Sequence, residues 1–513
     1  MSDTDSNTVL AIDIGTTRTK VAFYRVAPEG GPEVVGGVHS VPTPGIRGDG
    51  TFDPRVLIGA ALDLAGSALT RRGASFASSV RAVGVTSFLS HVFVDAAGGV
   101  IGPGLSWSYQ PAPEALQACR DACGASGSGG YQGERPVAPE LLAPRLVHLR
   151  RTHSTTAEQI RAVISLKDLF RAVLSETTLP EQLKTDYSVR DYSLLRDRHD
   201  QPVEPICDLL RQEGYPEAAA LLPPAVPAHR AAGSLSPVMA QRLGLDQGIP
   251  VAAGATDGTS GMYGGGVLGE GTVVAVFGTT DVVMRAVPRS SSAAPDTGDN
   301  LSRNAAVTPG VEILGGSTAA SGAVLGWMDT VVTGGEGWKS LPPGSDGVLV
   351  APGFDGERAP WNLPGSIGSI HGLSLSHGGA HVARALREAQ LYRMRRLIDL
   401  IVAGDPQVQV IAGGGNRSAE LDQLRAAILP WPLLWRRDPE LSLCGTAIFA
   451  LAALEDHRTR RDVQGDEMVR RLVSAAAKDV DPTPPPSPEL GQTYNGLFRR
   501  WSQWIDSVYG EHI

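Results

Sequence analysis

Asp257 stands where a side chain could move a proton. It lies in Gly254-Ala255-Thr256-Asp257-Gly258, directly after the apolar run Ile249 to Ala253. A short apolar run ending in a glycine turn reads as a buried strand. A carboxylate just past a strand end sits where sheet-based enzymes carry their reactive groups. There it could accept a proton from a hydroxyl, or close an Asx turn. Two further stretches could hold an anion: Ile12-Asp13-Ile14-Gly15-Thr16-Thr17 and Ala275-Val276-Phe277-Gly278-Thr279-Thr280. Each is an apolar run, a glycine and two threonines, followed by a second apolar run. Glycine permits a tight turn, and hydroxyls with exposed N–H groups suit phosphate. One Gly-Thr-Thr reads equally as a hairpin turn. Two in matching contexts, one per half of the chain, predict a duplicated fold with a nucleotide between the halves.

Asp13 is either a turn-forming aspartate or a metal-side carboxylate. A carboxylate between Ile12 and Ile14 needs a partner, and a metal would supply one. A further apolar run, Val408 to Ala412, ends in Gly413-Gly414-Gly415-Asn416-Arg417-Ser418. Three glycines let a backbone pass close to a flat ring or a ribose.

Positioning such groups takes strands and helices in alternation. Asp53 is the expected cap, and Pro54 the first turn, of a helix running to Leu69. Val80 to Val94 reads as strand, loop, strand. Leu141 to Arg151 and Ala157 to Val163 read as helices, and Thr185 as the cap of a short one. Ala380 to Val402 has apolar residues at Val382, Ala385, Leu386, Ala389, Leu397, Ile398 and Ile401. Its arginines, among them Arg384, Arg387 and Arg393, fall on other faces, which makes it scaffold. The Gly/Ser-rich stretch Gly124 to Gly133 reads as a loop, and Tyr494 to Tyr509 as an amphipathic terminal helix.

Composition bounds the partners. The 513 residues allow more than one domain. With 42% hydrophobic and 19% charged residues the chain fits a globular class. A net charge of −9 argues against a nucleic-acid or membrane-surface partner. No apolar run is long enough to span a membrane, and the polar N-terminus is no signal peptide. Cys119, Cys123, Cys207 and Cys444 form no zinc pattern and read as free thiols of a cytoplasmic protein.

From Val9 to about Glu455 these motifs, in this order, resemble the FGGY family of carbohydrate kinases, within the actin and hexokinase-like ATPases. The resemblance implies an α/β fold of two duplicated ribonuclease-H-like domains with a cleft between them. Their expected spans are 1–253 for the sugar and first phosphate turn, 254–458 for ATP, and a helical extension over 459–513. It implies ATP and Mg2+ as cofactors, a small carbohydrate as substrate, and a homodimer as the common assembly. Carried onto this sequence, it makes Asp257 the general base. Asp13 lies on the magnesium side, and Thr16, Thr17, Gly278 and Thr279 hold phosphates. Gly322, Gly413, Gly414, Asn416 and Ser418 lie about the nucleotide. The family's sugar-contacting loop corresponds to Thr86-Ser87-Phe88-Leu89-Ser90-His91, one residue short, with Ser90 or His91 at the family's histidine position. Trp107 matches a family tryptophan, but Ser108-Tyr109-Gln110 lacks the acidic residue and arginine that follow in many relatives. The resemblance implies a sugar acid, ketose or polyol as acceptor, and that departure leaves room for an unusual, cyclitol-type one. The competing reading is a sugar- or nucleotide-binding sensor of the same fold that has lost catalysis.

Overall fold

The computed structural model describes residues 7–125, 137–197, 199–267, 271–288, 301–305, 311–363, 365–402, 404, 408–415, 417–459 and 462–510. Most of the expected Gly124 to Gly133 loop lies outside them. The chain forms two compact units. One comprises Met1–Gly266, Asn304–Glu312 and Glu440–Lys478; the other comprises Val267–Arg303, Ile313–Pro439 and Asp479–Ile513. The units divide the chain elsewhere than at 253/254 and 458/459. The segment after residue 253 stays with the first unit because its helix, Asp257–Gly264, packs on the helix Leu441–Thr459.

The first unit is built on a sheet in which five strands lie in the order Pro32–Pro42, Arg18–Val26, Thr8–Ile14, Val80–Ser87, Pro250–Ala252. Thr8–Ile14 is buried at all seven positions, as expected of a central strand covered on both faces. It pairs antiparallel with Arg18–Val26 and parallel with Val80–Ser87. The helix Pro54–Arg72 covers one face, capped as expected by Asp53, whose carboxylate accepts the Arg55 N–H. The run Val80 to Val94 divides at Phe88-Leu89, and its second strand, Ser90–Val94, enters a different, four-stranded sheet. The helix expected over Ala157 to Val163 is not formed. A short helix, Ser154–Ala157, gives way to the strand Ala162–Ile164, which pairs with Ser90–Val94. The β-branched pair Val163-Ile164 gains a buried ladder there, which outweighs local helix preference.

In the second unit five strands repeat the order: Val311–Ser317, Asp281–Pro288, Thr272–Phe277, Gln409–Gly413, Leu433–Arg436. The central strand again has an antiparallel neighbour after a Gly-Thr-Thr turn and a parallel one on its other side. The expected duplication is therefore present in strand order as well as in the turns. The helix Gly379–Val402 buries every apolar position expected of it. Its arginines Arg384, Arg387 and Arg393, on the other faces, are enclosed as well, paired with Glu388, Asp329 and Glu357. Other elements cover those faces, including the terminal helix Pro488–Gly510, whose Tyr494 hydroxyl accepts from Arg384 at 2.7 Å. No helix among the described residues is long and apolar enough to cross a membrane.

Candidate functional site

Asp257 opens the helix Asp257–Gly264, with Thr256 at its N-cap position. The carboxylate thus sits at a helix N-terminus rather than in the open turn expected. Its backbone is fixed from several sides. Thr256 bridges Ser87 at the end of Val80–Ser87. The Ser188 hydroxyl accepts the Thr256 N–H at 3.0 Å, and the Ser442 hydroxyl donates to the Asp257 carbonyl at 3.2 Å. A Cβ on Gly445 would stand 1.7 Å from the Ser260 carbonyl oxygen, so only glycine allows the helix Leu441–Thr459 this close. The Gly258 N–H donates to Asp257 Oδ1 at 2.7 Å. Burial pushes the Asp257 carboxyl up to about 6, against that N–H, and the helix N-terminus further favours the ionised form. A carboxylate titrating near 6 is ionised at neutral pH and still basic enough to take a proton.

A buried ionic network supports the same segment. Lys167 Nζ lies 2.7 Å from Asp168 Oδ1 and 2.8 Å from Asp186 Oδ1, and donates to the Ala253 carbonyl at 3.3 Å. Asp186 accepts the Ser188 N–H at 2.8 Å and caps the helix Tyr187–Arg190. The cap expected of Thr185 is therefore made by Asp186. Thr185 instead donates its hydroxyl to Asp168 Oδ2 at 2.7 Å. Burial raises the Asp186 carboxyl, with Lys167 opposing. The reach of Lys167 to Ala253 has no local signal in the sequence, because the two lie eighty-six positions apart.

Asp13 lies near the end of Thr8–Ile14, cross-strand from Lys20 and beside Thr86. The strand order places Asp13 and Asp257 at the carboxyl ends of two parallel strands that flank Val80–Ser87. Asp13 is buried, and its Oδ1 has no hydrogen-bond partner among the described residues. Burial and the neighbouring Asp257 charge push its carboxyl up to about 8, with Lys20 opposing. Lys20 is itself ion-paired with Glu440 at 2.5 Å. An orphaned carboxylate oxygen fits a divalent cation or one of its waters, since Mg2+ binds through one or two carboxylates and substrate phosphates. The following turn is closed by the Gly15 N–H on the Arg18 carbonyl at 3.1 Å and tied to Thr43, which leaves Thr16 half-buried and Thr17 exposed.

The remaining sugar-side candidates, Ser90, His91 and Trp107, each make a contact within the fold. Ser90 is buried, and its hydroxyl accepts the Leu166 N–H at 3.0 Å at the head of the helix Leu166–Ser175. His91 is buried, with Nδ1 3.1 Å from Arg145 in the helix Leu142–Thr152. Arginine only donates, so Nδ1 accepts and Nε2 carries the proton. Burial and Arg145 hold the ring well below the usual histidine range, hence neutral. Both residues thus serve packing contacts that a reading of the loop alone could not see. Trp107 is half-buried, and its carbonyl accepts from Arg145 at 3.2 Å.

In the second unit, three segments distant in sequence meet. The Ser321 N–H donates to the Thr279 carbonyl at 2.9 Å and the Gly322 N–H to the Gly278 carbonyl at 3.1 Å. Gly413 pairs with Val276, and Gly414, at φ +108°, would place a Cβ 2.1 Å from the Phe277 carbonyl oxygen. Gly278, Thr279, Gly322, Gly413 and Gly414 are therefore brought together. Asn416 lies outside the described residues. The Ser418 hydroxyl caps the start of the helix Ala419–Ile428 by accepting the Leu421 N–H at 3.2 Å.

Comparison with known proteins identifies the family. Residues 8–264 match the N-terminal domain, and 273–454 the C-terminal domain, of the FGGY family of carbohydrate kinases. A xylulose kinase of Bacillus subtilis (strain 168) is 26% identical over 255 residues, 47% of this chain and 50% of that protein. An L-fuculokinase of Escherichia coli O157:H7 is 26% identical over 381 residues, 72% of this chain and 77% of that protein. The chain thus spans about half the length of the xylulose kinase it matches. The crystal structure of a gluconate kinase from Lactobacillus acidophilus superposes with a TM-score of 0.80 at 18% identity, covering 98% of both chains, which shows the shared fold. On the two domain matches, the chain belongs to the FGGY family of carbohydrate kinases.

Proposed function

We propose that this chain is an ATP-dependent kinase of a small carbohydrate, with Asp257 as the general base. The observation that carries the reading is the Asp257 carboxylate, held at a strand end by fixed backbone and raised by burial to about 6. Phosphoryl transfer asks little covalent chemistry of a protein; it asks for positioning, charge neutralisation and a base at the acceptor hydroxyl. Asp257 accepts the hydroxyl proton as that oxygen attacks phosphorus. The close-packed glycines Gly278, Gly322, Gly413 and Gly414 let a nucleotide approach the backbone of the second unit, and Thr16 and Thr17 are the first unit's candidates for phosphate. Mg2+, when bound, neutralises phosphate charge; Asp13 would hold it, directly or through water.

The acceptor is a ketose or sugar acid in this reading. The names of the similar proteins, xylulose kinase, L-fuculokinase and gluconate kinase, support that range. Ser108-Tyr109-Gln110 and the two-residue link Phe88-Leu89 are where this chain would differ from them in choice of hydroxyl pattern. The test is ADP release with Mg-ATP across gluconate, ketopentoses, ketohexoses, glycerol, tetritols and cyclitols, with Asp257→Asn alongside. One strong acceptor, silent in the variant, is the expected result. Nucleotide binding without turnover on any acceptor would favour a sensor.

A further inference from the structure

We propose that Tyr509, near the end of the terminal helix Pro488–Gly510, is a positioning residue for the nucleotide turn Gly278-Thr279-Thr280, acting through Glu357 and Arg393. The proposal rests on the reading of that turn as a nucleotide site. The Tyr509 hydroxyl donates to Glu357 Oε1 at 3.0 Å. The other Glu357 oxygen accepts from Arg393 Nη1 at 2.8 Å. Arg393 Nη2 donates to the Ala320 carbonyl and to Gln390 Oε1. The two residues after Ala320 carry the N–H groups that grip the turn, Ser321 on the Thr279 carbonyl and Gly322 on the Gly278 carbonyl. An unbroken path of hydrogen bonds and two peptide links therefore joins the terminal helix to the phosphate turn, all within one compact unit.

The chemistry of the path makes it stiff. Tyr509, Glu357 and Arg393 are each at most 1% exposed. A buried ion pair holds one geometry because any other leaves a charge without compensation. Burial raises the Glu357 carboxyl, while Arg393 and Tyr509 oppose that rise. Ala320 lies between the strand Val311–Ser317 and the helix Gly322–Val331, with no ladder of its own. Its neighbours are tied by Thr318 to Asp281, N–H to carbonyl and hydroxyl to N–H, and by Arg393. The first tie fixes where the segment starts; the second fixes how it approaches Gly278. Tyr509 lies beyond the residues matched to the family's C-terminal domain, which end at 454.

The test is calorimetric titration of Mg-ATP into the full chain with no acceptor present. Tyr509→Phe removes one hydroxyl and keeps the ring against Trp361, 5.0 Å away edge-on. Ile505→Val trims a fully buried side chain of the same helix that takes no part in the path. Tyr509→Phe is expected to weaken Mg-ATP binding by roughly two- to thirtyfold. Ile505→Val should stay within about twofold at a comparable loss of melting temperature. Equal affinity of Tyr509→Phe and the unmodified chain would overturn the proposal. So would weakening that follows melting temperature in both variants, since the helix would then be scaffold alone. Failure of the unmodified chain to bind Mg-ATP would instead remove the nucleotide reading beneath it.

Discussion

In the first unit the turn Gly15-Thr16-Thr17 follows Asp13; in the second, Gly278-Thr279-Thr280 follows Val276. Both turns join a central strand to an antiparallel neighbour, and both central strands have a parallel neighbour on the other side. Two residues before the glycine, one copy has a buried carboxylate with an unpartnered oxygen and the other has a valine. The second turn has its own carboxylate, Asp281, placed after the threonines. That one is compensated: Ser321 donates its hydroxyl to it. What the second turn offers is backbone. Gly322 and Gly414 close on it to distances that no Cβ would allow. The same strand end thus serves two chemistries. One copy holds a buried carboxyl with an oxygen left without a partner; the other holds a compensated carboxylate within closely packed backbone.

If that difference holds, removing the Asp257 carboxylate in the first unit should affect chemistry and leave nucleotide binding, while backbone changes in the second should do the reverse. The largest effect is expected from Asp257→Asn, with turnover reduced roughly a hundredfold or more and Mg-ATP affinity by calorimetry within about threefold. A variant retaining most of its turnover would remove Asp257 as the base. Next comes Gly414→Ala. At φ +108° and 2.1 Å from the Phe277 oxygen, a methyl group costs about 1–3 kcal/mol of backbone strain. Mg-ATP affinity should fall by about tenfold or more, with any residual turnover at saturation nearly unchanged. Loss of saturated turnover at unchanged affinity would dissolve the division.

The pH dependence sharpens the same contrast. Asp257 must be ionised to accept a proton, and burial holds its carboxyl near 6. kcat/KM should therefore fall as pH drops through about 6, roughly tenfold per unit below it. An acid limb near 4 would mean that the carboxylate is solvated in the working enzyme.

Sequence periodicity and glycine placement revealed the strands and both turns, because each is a short apolar run ended by a glycine, and such runs leave few alternatives. Asp257 was legible for the same reason. The pairs that cross long separations were hidden. Nothing local tells that Lys167 reaches Ala253, or that Arg393 meets Glu357 and the Ala320 carbonyl. Amphipathic reasoning assigns such arginines to solvent because it assumes one buried face per helix. The helix Gly379–Val402 is covered on more than one, and its arginines are buried with partners. The same holds of His91. Nothing local tells that its Nδ1 meets Arg145, fifty-four positions away.

The smallest effect is one of stability, and it isolates the carboxyl that the first turn carries where the second has a valine. In the folded chain Asp13 holds its proton up to about 8, through burial and the Asp257 charge; unfolded, it releases it near 4. Between those values folding takes up a proton, so the contribution of Asp13 is fully present below about pH 4 and is lost as pH rises through about 8. An amide at this position stays neutral throughout. The melting temperature of Asp13→Asn minus that of the unmodified chain should therefore be near zero at pH 4 and rise to roughly a few degrees by pH 8.5, without metal or nucleotide. The matching change in the second turn, Val276→Asn, replaces an apolar residue that does not titrate, so its difference should be destabilising and flat across the same range. A flat profile for Asp13→Asn as well would mean that Lys20 already compensates the carboxylate, and the two turns would no longer differ in the way proposed.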